Sequence, residues 1–541
     1  MNNYFLLTKV FFLSGYQVNK KKKNQRSTFT TLLLFAILFL IISSFYNFMI
    51  ISSIGDSEAA YQVTGTYEDY LSLVLAVSAI LVLIITITQM QGTIFKTKDY
   101  EFLESLPVGR GTIVAAKISA VYLMSFFEDV IIALPAVVLY FVFTGNVLNF
   151  ILGLLAIFFV SLLPIMVSSL LGSLAALMTA KMKHGNILQT VIYIAYFALI
   201  FLFSFTLSSG RSIDASSLQN VLIYFKWFEK SLHEGSRIYY LFFLLIHLVS
   251  FLFVVLFISY IYRPMNNFIG NAKVHMNYEE GKDTSSVDYK KMLFKKEVKM
   301  VTSNSQYLVN SFMGPIFFLI MGVLFLFINF FGDIEGVDPS EYESLKIVMA
   351  FVVVMMGILM NSMMSSTSAS ISLESASFEQ LLSYPIKAKE VINAKLKVGV
   401  VIPFILNILI GIILSLLWSF IKGFNLIFVL EIMILPPLAS TITGIVGMLT
   451  GLRWPKLEFE NQMQVMKNSK CVTLSMLFFT LPSSIVSMGL MIANIITVEA
   501  SLIFQLIPFI LGFVIYFVTL IIVYVILRKK GTSLYYKVIT R

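Results

Sequence analysis

Apolar residues run along this chain in long unbroken stretches, divided by short polar ones, and those stretches set the elements. Thr31–Ile51, Leu71–Ile94 and Leu502–Leu527 each meet or exceed the ~20 residues a helix needs to cross ~30 Å of hydrocarbon. Too many such runs occur for one buried core to absorb them. In lipid the backbone must satisfy its own hydrogen bonds, so each run is read as a helix. The pattern predicts about twelve spans, at 30–52, 71–94, 113–143, 148–180, 187–209, 238–262, 307–331, 346–370, 396–421, 424–452, 471–496 and 502–527. The third, fourth and tenth are longer than a bilayer requires, so their cytoplasmic ends should project or kink.

Composition agrees. The chain has 541 residues, 58% hydrophobic and 13% charged, with a mean hydropathy of +0.88. A soluble domain carries roughly a quarter charged residues. The expected fold class is an all-α integral membrane protein, and a soluble enzyme is excluded.

Net charge +10 and pI ≈ 9.2 would suit a nucleic-acid partner only if the charge were gathered on a soluble face. It is not. Lys9, Lys20–Lys23 and Arg26 lie near the start, Arg263, Lys273, Lys282, Lys290, Lys291, Lys295, Lys296 and Lys299 after the sixth span, and Arg528, Lys529, Lys530, Lys537 and Arg541 in the tail. The 53–70 and 332–345 loops hold acids and no Lys or Arg. This alternation is the positive-inside pattern, with both termini expected in the cytoplasm and no nucleic acid as partner.

The apolar run Tyr4–Leu13 precedes the lysines, the reverse of a cleavable signal peptide. It is too short to span and is expected to lie in the interface as an amphipathic helix. The single cysteine, Cys471, forms no internal disulfide, and His184, His233, His247 and His275 are scattered, so no metal site is expected.

An internal repeat orders the spans. The loop after span 2, YEFLESLPVGRGTIVAAK (100–117), aligns without gaps on the loop after span 8, FEQLLSYPIKAKEVINAK (378–395). Leu103, Ser105, Pro107, Ala116 and Lys117 match Leu381, Ser383, Pro385, Ala394 and Lys395. Deeper in each half, Leu163, Pro164, Ser168 and Gly172 match Leu435, Pro436, Ser440 and Gly444. Two matches in the same order imply duplication. The expected organisation is an interfacial segment 1–29, a six-helix half 30–262, a cytoplasmic linker 263–306, a second half 307–527 and a basic tail 528–541, with parallel repeats.

In the repeated loop, Phe378, Leu381, Leu382 and Pro385 fall at i, i+3, i+4 and i+7, one face of a short helix, as do Tyr100, Leu103 and Pro107 with Leu106 beside them. Each proline suits the start of the next helix. Such a helix either lies on the lipid surface or forms a knob on which a cytoplasmic partner docks.

The phrases YEFLESLPVGRGTIVAAK, SISLESASFEQLLSYPIKAKEVINAK (370–395), LFKKEVKMVTSNSQYLVNSFMGP (293–315) and GLRWPKLEFENQMQVMKNSK (451–470) resemble the permease subunits of bacterial type-2 ABC exporters in their fused, twelve-helix form. The resemblance covers nearly the whole chain, through loose motifs. It implies that the repeated loops are coupling helices docking an ATP-binding subunit through Tyr100, Leu103, Leu106, Pro107, Phe378, Leu381, Tyr384 and Pro385. It also implies a connecting helix before each half. The first half departs there, with a lysine run in place of the Lys-Lys-Glu phrase. No G-x-x-x-x-G-K-[ST] loop occurs in the chain. ATP and magnesium are therefore expected on a partner ATPase subunit in two copies, with no cofactor on this chain.

Glu128 and Asp129 lie about eleven residues beyond Lys117, ~16 Å of helical rise and near mid-bilayer. Two readings stand: a transport-pathway or proton-relay site, and a structural hydrogen bond to a neighbouring helix. Asn407 occupies the position aligned with Asp129, which argues against a symmetric relay, and Glu431 is a weaker pathway candidate. Pro164, Pro436 and Pro437 are expected to kink their spans. The stretch LIYFKWF in the outer segment 210–237 is expected to lie on the membrane surface as a lid.

The expected function is a permease in a bacterial cell membrane that moves a hydrophobic or peptide-like substrate outward. A proton-coupled secondary transporter and a non-transporting immunity or sensory protein are the alternatives, and no residue specifies the cargo.

Overall fold

The computed structural model describes residues 3–16, 66–95, 99–180, 185–206, 223–270, 288–328, 339–363, 366–374, 377–457, 469–497 and 501–538, with isolated positions in 40–51 and 459–466 and at 182. Most of the expected first span, the lysine run, His184, His275 and much of the 53–70, 210–237, 263–306 and 332–345 segments lie outside these residues. Every regular element among those described is helical, and the chain divides into two units, Met1–His275 and Met276–Arg541.

The first unit comprises α1 (Asn3–Tyr16), α2 (Tyr67–Ile94), α3 (Tyr100–Ser105), α4 (Arg110–Thr144), α5 (Val147–Phe159), α6 (Leu162–Thr179), α7 (Gly185–Thr206), α8 (Ile223–His233) and α9 (Arg237–Gly270). At its end, α4 hands over through Gly145, whose φ of 66° supplies the left-handed cap, and Asn146 then caps α5 by accepting from Asn149 N–H. The fourth span is in two pieces, broken at Val160 and Ser161. Pro164 has no N–H for the Val160 carbonyl, and its ring crowds that same group, so the interruption falls one turn before the proline.

Two short helices pack against long ones. The short α1 packs along α4, with the Tyr4 and Ser119 hydroxyls 2.7 Å apart and Phe12 stacked on Phe127. Its other side, Phe5, Leu6 and Val10, is exposed. The described part of the LIYFKWF stretch, Ile223–Phe228, opens α8, and Tyr224, Phe225 and Phe228 are buried against Tyr240 and Phe243 of α9. Alternation of apolar and charged residues at helical spacing gives that segment a face to bury.

The second unit comprises α10 (Tyr289–Thr302), α11 (Ser305–Ile328), α12 (Pro339–Met363), α13 (Ser366–Ser370), α14 (Ser377–Ser383), α15 (Ala388–Leu396), α16 (Ile402–Lys422), α17 (Leu426–Arg453), α18 (Lys470–Ser475), α19 (Leu481–Thr497) and α20 (Leu502–Tyr536). Two π-helical turns, Lys397–Val401 and Met476–Thr480, join α15 to α16 and α18 to α19. Here α17 runs unbroken through Pro436 and Pro437.

The element order of one unit repeats in the other. A 14-residue helix (α1, α10) leads each, and a short helix (α3, α14) precedes a segment that runs 35 residues in both cases, Arg110–Thr144 and Ala388–Lys422. Ten segments among the described residues are long and apolar enough to cross a membrane. On α9, Leu241, Leu245, Leu248 and Leu252 make an exposed apolar stripe, and α20 exposes Ile503, Ile507, Ile510 and Val514 likewise. Water tolerates no apolar surface of that extent, and lipid covers it without cost.

Candidate functional site

Each unit presents its short helix in the same way. The Tyr100 ring meets Tyr262 of α9 edge-on at 5.6 Å, and the Tyr100 hydroxyl donates to Asn267 Oδ1 at 3.2 Å. The aligned residue in the other half, Phe378, sits 5.1 Å from Tyr535 of α20. Thus both short helices rest an aromatic ring on a tyrosine of their unit's last long helix. Leu103, Phe378 and Leu381 are buried beneath. The apolar face seen in the sequence therefore anchors the knob to its own unit. Residues turned outward are Phe102, Pro107, Tyr384 and Pro385, with Leu106 half-buried.

The prolines sit differently from expectation. Helices begin at Arg110 and Ala388, three residues later. Pro107 and Pro385 instead occupy the centre of a three-residue turn, closed by Val108 N–H to Leu106 O and by Ile386 N–H to Tyr384 O, both 2.7 Å. Proline's fixed φ suits that turn, and its missing N–H is not needed there.

Behind each knob lies the matched lysine, buried in both units. Lys395 Nζ donates to Glu297 (3.0 and 3.1 Å), to Glu374 Oε1 (2.7 Å) and to the Ser370 carbonyl (3.2 Å). Lys296, half-exposed, adds a 2.6 Å contact to the same Glu374 oxygen. Burial alone would push the Glu374 carboxyl up, but Lys395 and Lys296 together hold it below the usual range. Two lysines and two glutamates balance in charge. The node ties α10, the turn leading into α14, and α15. An adjoining cavity of about 10 Å³, lined in part by Tyr307, Ser366 and Gly399, has room for a water and no substrate.

In the first unit the matching Lys117 faces Asp99 at 3.6 Å, the Phe11 ring of α1 at 5.5 Å and Tyr262 at 5.9 Å. Phe11 is the ninth residue of α1, as Glu297 is of α10. The leading helix therefore meets the lysine from the same register in both units, once with a ring and once with a carboxylate.

Within the spans, Asp129 is fully buried and accepts a short hydrogen bond from the Ser78 hydroxyl of α2. Its counterpart Asn407 is also buried, donating to Asn361 Oδ1 and to the Pro403 carbonyl, each at 2.8 Å. Glu431 receives both its hydrogen bonds from Asn494 of α19, at 2.9 and 3.1 Å. Glu128 is half-buried. Glu128 and Asp129 lie side by side on α4 of the first unit, whereas Asn407 and Glu431 belong to the second, where they pair with Asn361 and Asn494 respectively. A charge at mid-bilayer costs at least ~2.5–3.5 kcal/mol, and Asp129, Asn407 and Glu431 each have a polar partner across a helix contact.

At the other end of the first unit, Asp69, Glu229 and His233 bring one ligand atom each within 4.8 Å of one another. Carboxylate and imidazole are donors that a divalent metal ion accepts. Burial first, and Asp69 second, push the Glu229 carboxyl up to about 7, with His233 and Lys226 acting the other way. Scattered histidines in the sequence concealed this convergence, because Asp69 and His233 lie far apart along the chain.

Long apolar helices with lipid-facing stripes, arranged in two units of repeated order, define a multi-span helical membrane protein. A family model described as "Membrane protein of 12 TMs" matches residues 58–530. The chain belongs to that family. No curated protein and no solved structure matches it.

Proposed function

We propose that the chain is the membrane permease of an exporter driven by a separate ATP-binding subunit, which moves a hydrophobic or peptide-like substrate across a bacterial cell membrane. The observation that carries this reading is the paired knob. Each unit holds a short helix rigidly against its last long helix, fastens the turn behind it to a buried lysine, and leaves an outward face of aromatic and proline residues. A push on such a face is delivered to the base of a 35-residue membrane helix. Two such faces suit two copies of one ATPase, one on each knob.

The docking surface is Phe102 and Pro107 on one knob and Tyr384 and Pro385 on the other. Leu103, Phe378 and Leu381 serve as anchors. Purification of the full chain from its native membranes is expected to bring an ATP-hydrolysing subunit with it. The double variant Phe102→Glu with Tyr384→Glu should lose that subunit while the membrane protein keeps its helix content. Recovery of the subunit in undiminished amount from the double variant sinks the docking assignment, and its absence from the wild type sinks the exporter reading.

A second reading, a secondary transporter coupled to protons, draws on the buried Asp129. Transport that persists without ATP and collapses with the proton gradient would favour it.

A further inference from the structure

We propose that the first unit binds a divalent transition-metal ion, with zinc the best match, through Asp69, Glu229 and His233 at the end of α2 remote from its knob. The inference stands on the geometry of the first unit and does not rest on what drives transport.

Three ligand atoms, one from each residue, lie within 4.8 Å of one another. Two local features put them there. Thr66 and Asp69 form a capping box at the start of α2: Thr66 N–H donates to Asp69 Oδ2 at 2.8 Å, and Asp69 N–H donates to the Thr66 hydroxyl at 3.4 Å. That pairing engages Oδ2 and leaves Oδ1 facing His233 Nε2, 3.6 Å away. Glu229 and His233 stand four residues apart on α8, so their side chains share one face of that helix. The helix is itself fixed in place. The Ser72 hydroxyl of α2 donates to the Phe225 carbonyl at 3.3 Å, and Asn149 Nδ2 of α5 donates to the Leu232 carbonyl at 3.4 Å.

One imidazole nitrogen and two carboxylate oxygens are a donor set that zinc takes, with a fourth position left to water. Around a tetrahedral zinc with bonds of ~2.0–2.1 Å the donors stand ~3.4 Å apart, so side-chain rotations that move them by about 1 Å complete the shell. The imidazole binds neutral, with its proton on Nδ1 and the Nε2 lone pair on the ion. The Thr66 hydroxyl, 2.9 Å from Nε2 in the metal-free form, then keeps its 3.0 Å bond to Asp69 Oδ2 and holds that carboxylate from behind.

The surrounding charge favours a cation. Lys226, half-buried, sets one positive charge against two carboxylates, and Lys230 turns away to the Tyr239 ring at 5.5 Å. Glu68 is engaged by the Tyr140 hydroxyl at 2.9 Å, while Glu234 and Arg237 are exposed. His233 closes α8, and the C-terminal end of a helix attracts positive charge. The 53–70 loop, with four acids and no Lys or Arg, concentrates cations near this end. From here the 28 residues of α2 rise ~42 Å toward the first knob, which places the cluster at the opposite membrane face from Phe102. His233 is exposed to water there. A bound ion clamps α8 to the first turn of α2.

The full chain in detergent, stripped of metal with a chelator and titrated with zinc sulfate, tests the assignment. Calorimetry of the wild type is expected to show one tight zinc per chain, and hydrogen exchange should slow in α8 and the first turn of α2. Glu229→Gln and His233→Ala should each weaken uptake by at least about tenfold and lose that protection. Glu234→Gln, beside His233 and outside the donor set, should keep both. Circular dichroism checks the helix content of each variant, and His233 is exposed, so its loss leaves the fold intact. Three results would overturn the proposal: no zinc taken up by the wild type, uptake undiminished in folded His233→Ala, or displacement of the zinc by an equal concentration of calcium, which marks an oxygen-only site.

Discussion

Lys117 and Lys395 occupy one position in a duplicated loop, yet their surroundings set different costs for losing them. Lys395 is enclosed by two buried carboxylates and a carbonyl. Replacing it with methionine leaves Glu297 and Glu374 with only half-exposed Lys296 to balance them. Breaking a buried pair in this way costs on the order of 3–5 kcal/mol. Lys117 faces two rings and an Asp99 that is 39% exposed and can turn to water, so Lys117→Met should cost about 1 kcal/mol. Equilibrium unfolding of the two variants in detergent compares them, and equal losses would remove the distinction. Glu229 gives a pH dependence with a definite sign. Its carboxyl is raised to about 7 in the fold, so the folded state holds the proton longer than the unfolded one does. Attachment of α8 should therefore weaken as pH rises from about 4 to about 7. Hydrogen exchange of the α8 amides, corrected for intrinsic rate, should show that slope in the wild type and a flat profile in Glu229→Gln.

Among elements, the helix contacts of the second unit depend on missing side chains. A Cβ on Gly451 of α17 would lie 2.7 Å from the Ser368 carbonyl oxygen of α13, and one on Gly444 would lie 2.5 Å from a Val400 methyl in the π-helical turn. Backbone cannot rotate aside as a side chain can. Gly451→Ala should thus destabilise by ~1–3 kcal/mol, whereas Gly489→Ala in α19, with nothing within 4 Å of its Cβ, should be neutral or gain up to ~1 kcal/mol from helix propensity. Thermal unfolding of both variants distinguishes close packing from a general intolerance of alanine. Spans were legible in the sequence because crossing lipid is a property of each run by itself. The repeat was legible too, since Lys117 and Lys395 stand in matching strings. What the leading helix, the break at Ser161 and the aromatic face of α8 do was not, because each depends on a partner helix distant in the chain. Hydropathy gave Tyr4–Leu13 an apolar character, but only α4 gives it a place. Likewise, the spacing of Phe378, Leu381 and Pro385 disclosed an amphipathic helix without saying which way its apolar face turns.

For the whole molecule, the repeat sets up two units with the same element order and unlike chemistry. The first has rings around its knob lysine and a carboxyl in mid-span; the second has a charge-balanced node and an amide. In the exporter reading, both knobs receive the same push, and the loss of the ATPase in the Phe102→Glu with Tyr384→Glu variant tests them together. The four-charge node also has a consequence for how such a chain can change over generations. No single substitution at Lys395, Glu297 or Glu374 leaves its neighbours satisfied, so any route to an apolar version passes through a chain less stable than either end. The first unit, where a ring stands in the place of Glu297, shows a destination that such a route could reach. The second unit is held at its present solution by the depth of the valley around it.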